Sequence, residues 1–211
     1  MPVVLGSMKS ILSSVRNYRL PILIAILHLF AFPAQAQTGA SVAQTNLGYL
    51  VQHAERIVHG NVVSAILEPD PQFSNLRTVL VTIEVVKTFK GPAEHVLRFR
   101  QYVWNSKDSI GVSGYHKSEE ILLFLNPVSQ YGLTSPVGME QGQFKVMHDN
   151  KGNSFAVNGR GNIGLFSGVL ADSISRGVSF SAQARTMLSR SSGRVQLSTL
   201  EETIQALVAR P

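Results

Sequence analysis

Hydrophobic and polar positions alternate along most of the stretch 56–157, which is the pattern of half-buried β-strands. The longest alternation runs from Arg77 to Phe89, and β-branched side chains dominate its apolar face. A similar alternation runs from His95 to Val103, and the first strand is indicated from Arg56 to Ile66. Gly60 lies inside that first strand and is a candidate β-bulge.

Shorter apolar runs indicate further strands downstream. Residues 120–125, Glu-Ile-Leu-Leu-Phe-Leu, are apolar on both faces, so we expect a central strand buried from both sides. Short strands are also expected over 131–137 and 143–147. The turn Asp149–Gly152 joins the last of these to residues 154–157 as a hairpin.

Helical spacing occurs at the two ends of this region. Residues 47–54 carry apolar side chains at positions i, i+3, i+4 and i+7, with Thr45 or Asn46 as the cap. Near the C-terminus, Ser198-Thr199-Leu200-Glu201 has the S-x-x-E pattern of a capping box, and an apolar stripe follows it. A helix this short is marginal alone, so we expect it to dock on the domain.

These elements predict an all-β, mainly antiparallel fold of about six strands, with a short N-terminal and a C-terminal helix. A small OB-like barrel or sandwich fits the pattern, and the bend at Gly60 favours a closed barrel of the OB type. The β-barrel domain would cover residues 47–157. A Gly/Ser/Arg-rich segment, 158–197, is expected to be irregular, and residues 198–211 to form the docked helix.

The N-terminal residues 1–36 have the layout of a signal peptide. Three basic residues precede an apolar run, Leu20–Phe32, and Ala34 and Ala36 then fit a signal peptidase site, with cleavage expected after Ala36. The run is short for a membrane span, although an uncleaved anchor is the alternative. We therefore expect an exported protein, periplasmic or secreted, with a flexible tail over 37–46 and no stable membrane span after cleavage.

Composition narrows the chemistry. The chain has no cysteine, which excludes disulfides, Cys-ligated zinc and a thiol nucleophile. Its net charge is +6, but three basic residues belong to the expected signal, so the mature chain has 16 basic and 13 acidic side chains, or +3. This modest excess, together with export, argues against a nucleic-acid partner.

Four segments resemble those of a widespread group of exported, functionally uncharacterised bacterial β-domain proteins, over roughly residues 47–157. The order of strands is also similar to the netrin-like domains of metalloproteinase inhibitors, which implies an OB-type barrel. Those domains inhibit through a cysteine framework that this chain lacks, so the resemblance implies a fold and no inhibitory mechanism. The segments are Ala54–Val62, Val81–Gly91, Glu120–Leu125 and Gln141–Val146.

No catalytic or cofactor motif stands out. G-x-S-x-G and H-E-x-x-H are absent, and Gly159–Gly164 matches G-x-G-x-x-G without the strand and helix that a dinucleotide site needs. The histidines have no metal-ligand spacing, so neither a metal nor a cofactor is expected. A hydrolase would require His59, His116 or His148 to converge with Asp149 in space.

The binding surface that the sequence favours lies on one strand. Arg98, Arg100 and Tyr102 share a face, and Trp104 follows at the same parity, beside the polar loop 105–118. Arginine and aromatic side chains together suit protein or glycan recognition. The alternative is a solvated outer face, where the arginine stems cover apolar neighbours.

These observations favour an exported, non-catalytic binding or accessory domain that acts on another envelope protein. Two alternatives remain: a hydrolase with a dispersed His/carboxylate site, and a structural envelope component without a specific ligand. The pattern leaves the oligomeric state, the partner and the start codon, Met1 or Met8, open.

Overall fold

The computed structural model describes residues 43–103 and 114–210. The predicted signal peptide, the tail up to residue 42, Trp104 and most of the loop 105–118 lie outside the described residues. Among the helices of the described part, none is both long and apolar enough to cross a membrane.

The described residues form one sheet of seven strands, and consecutive neighbours pair in antiparallel fashion. The order across the sheet is β3-β2-β1-β4-β5-β6-β7. The mainly antiparallel β class is thereby confirmed. The strands are β1 (Arg56–Pro69), β2 (Arg77–Lys90), β3 (Val96–Tyr102), β4 (Glu120–Leu125), β5 (Gln143–His148), β6 (Ser154–Asn158) and β7 (Val195–Gln196).

The sheet of the described residues is open, because β3 and β7 form its two ends and do not pair with each other. The expectation of a closed OB-type barrel is therefore wrong for this part of the chain. The segment 131–137, expected as a strand, makes only two isolated bridges, Arg100 to Leu133 and Leu125 to Pro136. Pro136 has no backbone N–H to donate, which limits the ladder that this segment could build.

Strand β4 divides two hydrophobic cores, which confirms that it is buried from both sides. Ile121, Leu123 and Leu125 pack with the apolar residues of β1, β2 and β3. Leu122 and Phe124 face the opposite core, which the helices cover. The expectation of a bulge at Gly60 is not met: the pairing of β1 with β2 does shift register between His59 and Gly60, but the extra residue is Val86 of β2, on the opposite strand.

Four α-helices lie in the described residues: α1 (Leu47–His53), α2 (Val169–Ser175), α3 (Ala182–Leu188) and α4 (Leu197–Val208). Helix α1 begins after Asn46, whose side chain accepts from the Tyr49 N–H at 2.9 Å, as one of the two expected caps. A short 3₁₀ turn, Met139–Gln141, precedes β5.

The segment 158–197 is more ordered than its composition indicated. It contains α2, α3 and β7, so the expectation of an irregular segment is wrong. Its apolar residues are dispersed among serines and glycines, which hides helices of only seven residues each. Leu165, Phe166, Val178 and Phe180 are nonetheless buried in the helix-covered core.

Helix α4 packs its apolar stripe into that core through Leu200, Ile204 and Leu207. It begins at Leu197, and its N-terminus receives no side-chain cap. The capping box expected from Ser198 to Glu201 therefore does not form. The carboxylate of Glu201 turns instead toward strands β1 and β2, where it meets His59 and Lys87.

Candidate functional site: a polar groove beside helix α4

A row of polar side chains crosses the sheet at the border of the helix-covered core. The strand register sets Lys87 of β2 opposite His59 of β1, and Ser154 of β6 opposite His148 of β5. Glu120 lies two residues before Leu122, the β4 partner of His59, and therefore projects from the same face. The row is thus a product of strand register.

His59 lies at the centre of this row and is only 6% exposed. Its Nε2 is 2.7 Å from Oε1 of Glu120, and its Nδ1 is 2.9 Å from Oε1 of Glu201. A neutral imidazole carries one N–H, whereas two ionised carboxylates both require a donor. The geometry therefore fits an imidazolium held between two carboxylates.

The shifts in the pKa values of His59 and Glu201 agree with an imidazolium held between carboxylates. Burial alone would lower the pKa of His59, but the hydrogen bonds and charges of Glu201 and Glu120 outweigh it and raise the pKa above its usual value. Burial alone would raise the pKa of Glu201. The hydrogen bonds and charges of His59 and Lys87 prevail, and the pKa of Glu201 is lowered.

Lys87 extends the row at the open side of Glu201. Its Nζ is 3.0 Å from Oε2 of Glu201 and 4.7 Å from the centre of the Phe89 ring, a cation–π contact. The side chain is 42% exposed, and an ammonium has three donors, so Lys87 retains donor capacity toward solvent.

At the other end of the row, Glu120 joins two histidines. Its Oε2 is 2.7 Å from Nε2 of His148, and Nδ1 of His148 is 3.0 Å from Oγ of Ser154. The His148 side chain is half exposed, whereas His59 is buried. The row therefore leads from solvent at Ser154 and His148, through the buried His59, to solvent again at Lys87.

An open groove of about 540 Å³ lies along this row, and we call it the histidine groove. Strands β1, β2, β4 and β6, the turn before β6 and the start of α4 form its walls. Its lining is mostly polar, and Val86 adds an exposed apolar side chain. The lining residues are His59, Val86, Lys87, Glu120, Gly152, Asn153, Ser154, Gln196, Leu197, Ser198 and Glu201.

The groove can donate hydrogen bonds and exchange protons. Lys87 and the hydroxyl group of Ser198 line the groove as donors, and the buried His59 lies in its wall between two carboxylates. Within residues 43–103 and 114–210, no group of three or more His, Asp or Glu side chains is arranged to hold a metal ion.

The predicted binding face on β3 has a different structure. Arg98 is exposed, but Arg100 is directed inward: its side chain is 17% exposed, lies 2.6 Å from Glu68 and donates to Oγ1 of Thr78 at 3.0 Å. Tyr102 is half-buried, and Trp104 lies outside the described residues. Of the three residues of this face that the structure describes, Arg98 alone is fully exposed.

The structure brings two of the three histidines considered for a hydrolase site onto one carboxylate, but not onto the expected one. His59 and His148 do converge, but on Glu120 instead of Asp149. Asp149 accepts hydrogen bonds from its own turn, chiefly from Asn153, which lowers its pKa. His116 is exposed and its backbone N–H donates to Glu119, away from the row.

Sequence reasoning missed Lys87, Ser154 and Glu201 as site residues. His59 and Glu120 are 61 positions apart, and Lys87 and Glu201 are 114 positions apart, so no local spacing connects them. One signal was available: Lys87 and Glu120 are charged residues on the core-facing parity of their strands, where an apolar residue is expected.

Comparison with known proteins finds no matching family model, no matching curated protein and no matching solved structure. The resemblance to exported β-domain proteins and to netrin-like domains therefore stays a prediction.

Proposed function

We propose that this chain is an exported binding domain that holds a polar ligand group of another envelope protein in the histidine groove. The observation that carries the proposal is the buried His59, held between Glu120 and Glu201 at the wall of an open groove. Binding is non-covalent and uses no cofactor.

A purely structural role explains this network poorly. Removing charged groups from water costs several kcal/mol per ion, and apolar residues of similar volume often stabilise a fold as well or better. Here the ionic row borders the helix-covered hydrophobic core, at an edge that opens into the groove. Perturbed titratable groups in a cleft are characteristic of functional sites.

The ligand group is one that accepts hydrogen bonds. The oxygens of Glu120 and Glu201 are already engaged by His59, His148 and Lys87. The remaining capacity belongs to donors, above all Lys87, whose side chain lines the groove and is 42% exposed. Carbonyl, carboxamide or hydroxyl oxygens of a partner protein fit that chemistry.

The compartment and the partner class come from the sequence. The basic residues, the apolar run Leu20–Phe32 and the small residues Ala34 and Ala36 support export. An exported domain meets envelope proteins first, so the partner is proposed from that class.

The test is a capture experiment with the full chain, tagged at its C-terminus, exported by a bacterial host and exposed to a native envelope extract. A groove variant carries Lys87→Ala, Ser154→Ala and Ser198→Ala. A matched control, the β3-face variant, carries Arg98→Ala and Trp104→Ala, two residues of the binding face that the sequence predicts, so each variant loses one positive charge. Thermal unfolding confirms that both variants fold.

The proposal expects a partner that the wild-type chain retains, the groove variant loses and the β3-face variant keeps. Loss from the β3-face variant alone would transfer the binding function to that face. Capture that both variants retain, or no capture by the wild-type chain, would contradict the proposal.

A hydrolase is the second candidate, because Ser154, His148 and Glu120 form a continuous hydroxyl–imidazole–carboxylate contact. In such a site His148 would take the Ser154 proton as Oγ attacks a carbonyl carbon, and Glu120 would stabilise the imidazolium. A fluorophosphonate probe, which labels activated serine nucleophiles, tests whether Ser154 is one. Covalent labelling that disappears in Ser154→Ala would support hydrolysis, and an unlabelled wild-type chain would exclude Ser154 as the nucleophile.

A further inference from the structure

The segment around α3 and β7 carries an unbalanced positive charge. Residues 173–200 contain four arginines and no acidic residue. Arg176 forms an ion pair with Asp172 at 3.0 Å. Arg185, Arg190 and Arg194 are exposed, and none of them forms an ion pair with a described carboxylate.

A second groove, of about 430 Å³, lies between α3, β7 and the start of α4, and we call it the β7 groove. Arg190 lines it. Arg194 is held near β6, with its guanidinium 4.8 Å from the centre of the Phe155 ring. The lining residues are Ala182, Gln183, Thr186, Met187, Arg190, Val195, Gln196 and Thr199.

Strand β7 pairs with β6 on one side and, as the last strand in the order of the described sheet, has no strand on the other. An exposed strand edge accepts an extended polypeptide, because its backbone N–H and C=O groups match those of an added strand. Gln196 lines both grooves, so the β7 groove and the histidine groove meet there.

We propose that the β7 groove binds an extended acidic segment of the envelope partner, which continues past Gln196 toward the histidine groove. This inference rests on the proposed binding function and names the chemistry of its partner. The short edge of β7 orients the segment, and Arg190, which lines the groove, provides the attraction together with the exposed Arg185 of α3 and Arg194 just before β7.

Polypeptide fits this surface better than nucleic acid. None of the residues lining the β7 groove is aromatic, so the groove offers no ring on which a base could stack. A strand edge, by contrast, is complementary to a polypeptide backbone.

The test measures binding of the full chain to a short synthetic peptide of alternating valine and glutamate. A peptide of alternating valine and lysine and a single-stranded DNA of similar charge are the comparison probes. The test variant carries Arg185→Ala, Arg190→Ala and Arg194→Ala. The control variant loses three exposed cations elsewhere, through Arg98→Ala, Lys117→Ala and Lys151→Ala.

The acidic peptide is expected to bind the wild-type and control chains, with affinity that falls as salt rises, and to bind the test variant about tenfold more weakly. If both variants bind the acidic peptide equally weakly, net charge alone explains the binding, and the inference is overturned. Tighter binding of the DNA, or no binding of the acidic peptide, would also overturn it. If the peptide fails while envelope capture still depends on Lys87, only this inference is wrong and the histidine groove remains the proposed site.

Discussion

Two polar regions of this domain are built in opposite ways. On β3, the residues of interest, Arg98, Arg100 and Tyr102, alternate along five consecutive positions, and Arg100 is neutralised locally by Glu68. In the histidine groove, side chains from β1, β2, β4, β5, β6 and α4 meet in one continuous network. The first region is visible along the chain, and the second exists only after folding.

The difference indicates where function is concentrated. The Arg100–Glu68 pair is only half-buried, with the Glu68 side chain 35% exposed, so water and salt still screen it and its contribution to stability is modest. His59 is buried with both of its nitrogens committed, so its network depends on the exact arrangement of the surrounding elements. Changes near the groove should therefore have larger effects than equivalent changes near β3.

The largest effect is expected from Gly60→Ala. A Cβ at this position would lie 2.3 Å from the backbone oxygen of Glu84, so β1 and β2 must separate next to His59. We expect a loss of about 3 kcal/mol in the free energy of unfolding, measured by urea titration. Gly48→Ala in α1 is the control, because its nearest contact is at 3.4 Å, and it should be neutral or stabilising. Equal effects would contradict the close approach at Gly60.

The next prediction compares the carboxylate of Glu120 in the histidine groove with that of Glu68 beside β3. Glu120→Gln replaces an acceptor by an amide and leaves His59 with one carboxylate, so we expect a loss of about 2 kcal/mol in the free energy of unfolding. Glu68→Gln removes the partner of Arg100 and should cost less than about 1 kcal/mol. If Glu68→Gln is the more damaging substitution, the contrast between the two regions does not hold.

The pH dependence of stability is expected to have two limbs. The pKa of Glu201 is lowered from 4.5, so its contribution is complete above about pH 4.5 and is lost as the pH falls through the lowered value. The pKa of His59 is raised from 6.5, so its contribution is complete below about pH 6.5 and is lost as the pH rises through the raised value. The network therefore stabilises most between these two limits.

Thermal unfolding across this range measures both limbs. In His59→Gln the decline on the alkaline side should disappear, since no group with a raised pKa remains at that position. A variant that keeps the alkaline decline would show that another group causes it.

The smallest effect is expected from Arg98→Ala. The side chain is exposed on β3, and surface substitutions of this kind usually change the free energy of unfolding by less than about 0.5 kcal/mol. Urea titration should place this variant within error of the wild-type chain. A larger loss would mean that Arg98 makes contacts that its exposure does not indicate.

The sequence supported much of the fold because strands and long amphipathic helices have local signatures. The two-sided apolar run at Ile121–Leu125 predicted the central strand, whereas the glycine at position 60 only marked the place of a register shift whose extra residue is Val86 of β2. The sequence could not show whether the sheet is open or closed, because pairing of β3 with a distant strand depends on long-range contacts. Helices α2 and α3 were missed because their few apolar residues are dispersed among serines and glycines, whereas α1, which is equally short, keeps a regular apolar spacing.

The site was harder to predict than the fold. The motif at Ser198–Glu201 indicated a capping box, but in three dimensions Glu201 bonds to His59 and Lys87, and the N-terminus of α4 receives no side-chain cap. A charged partner offers a stronger hydrogen bond than a backbone N–H. Tertiary electrostatics therefore overrode the local signal.

The most direct test of this account is the titration of the His59 ring protons by NMR in the full chain, with Glu201→Gln as the matched variant. The account predicts that His59 titrates with a pKa above 6.5 and that the value falls when Glu201 loses its charge. A pKa at or below 6.5 in the wild-type chain would mean that burial dominates, and the imidazolium between two carboxylates would have to be abandoned.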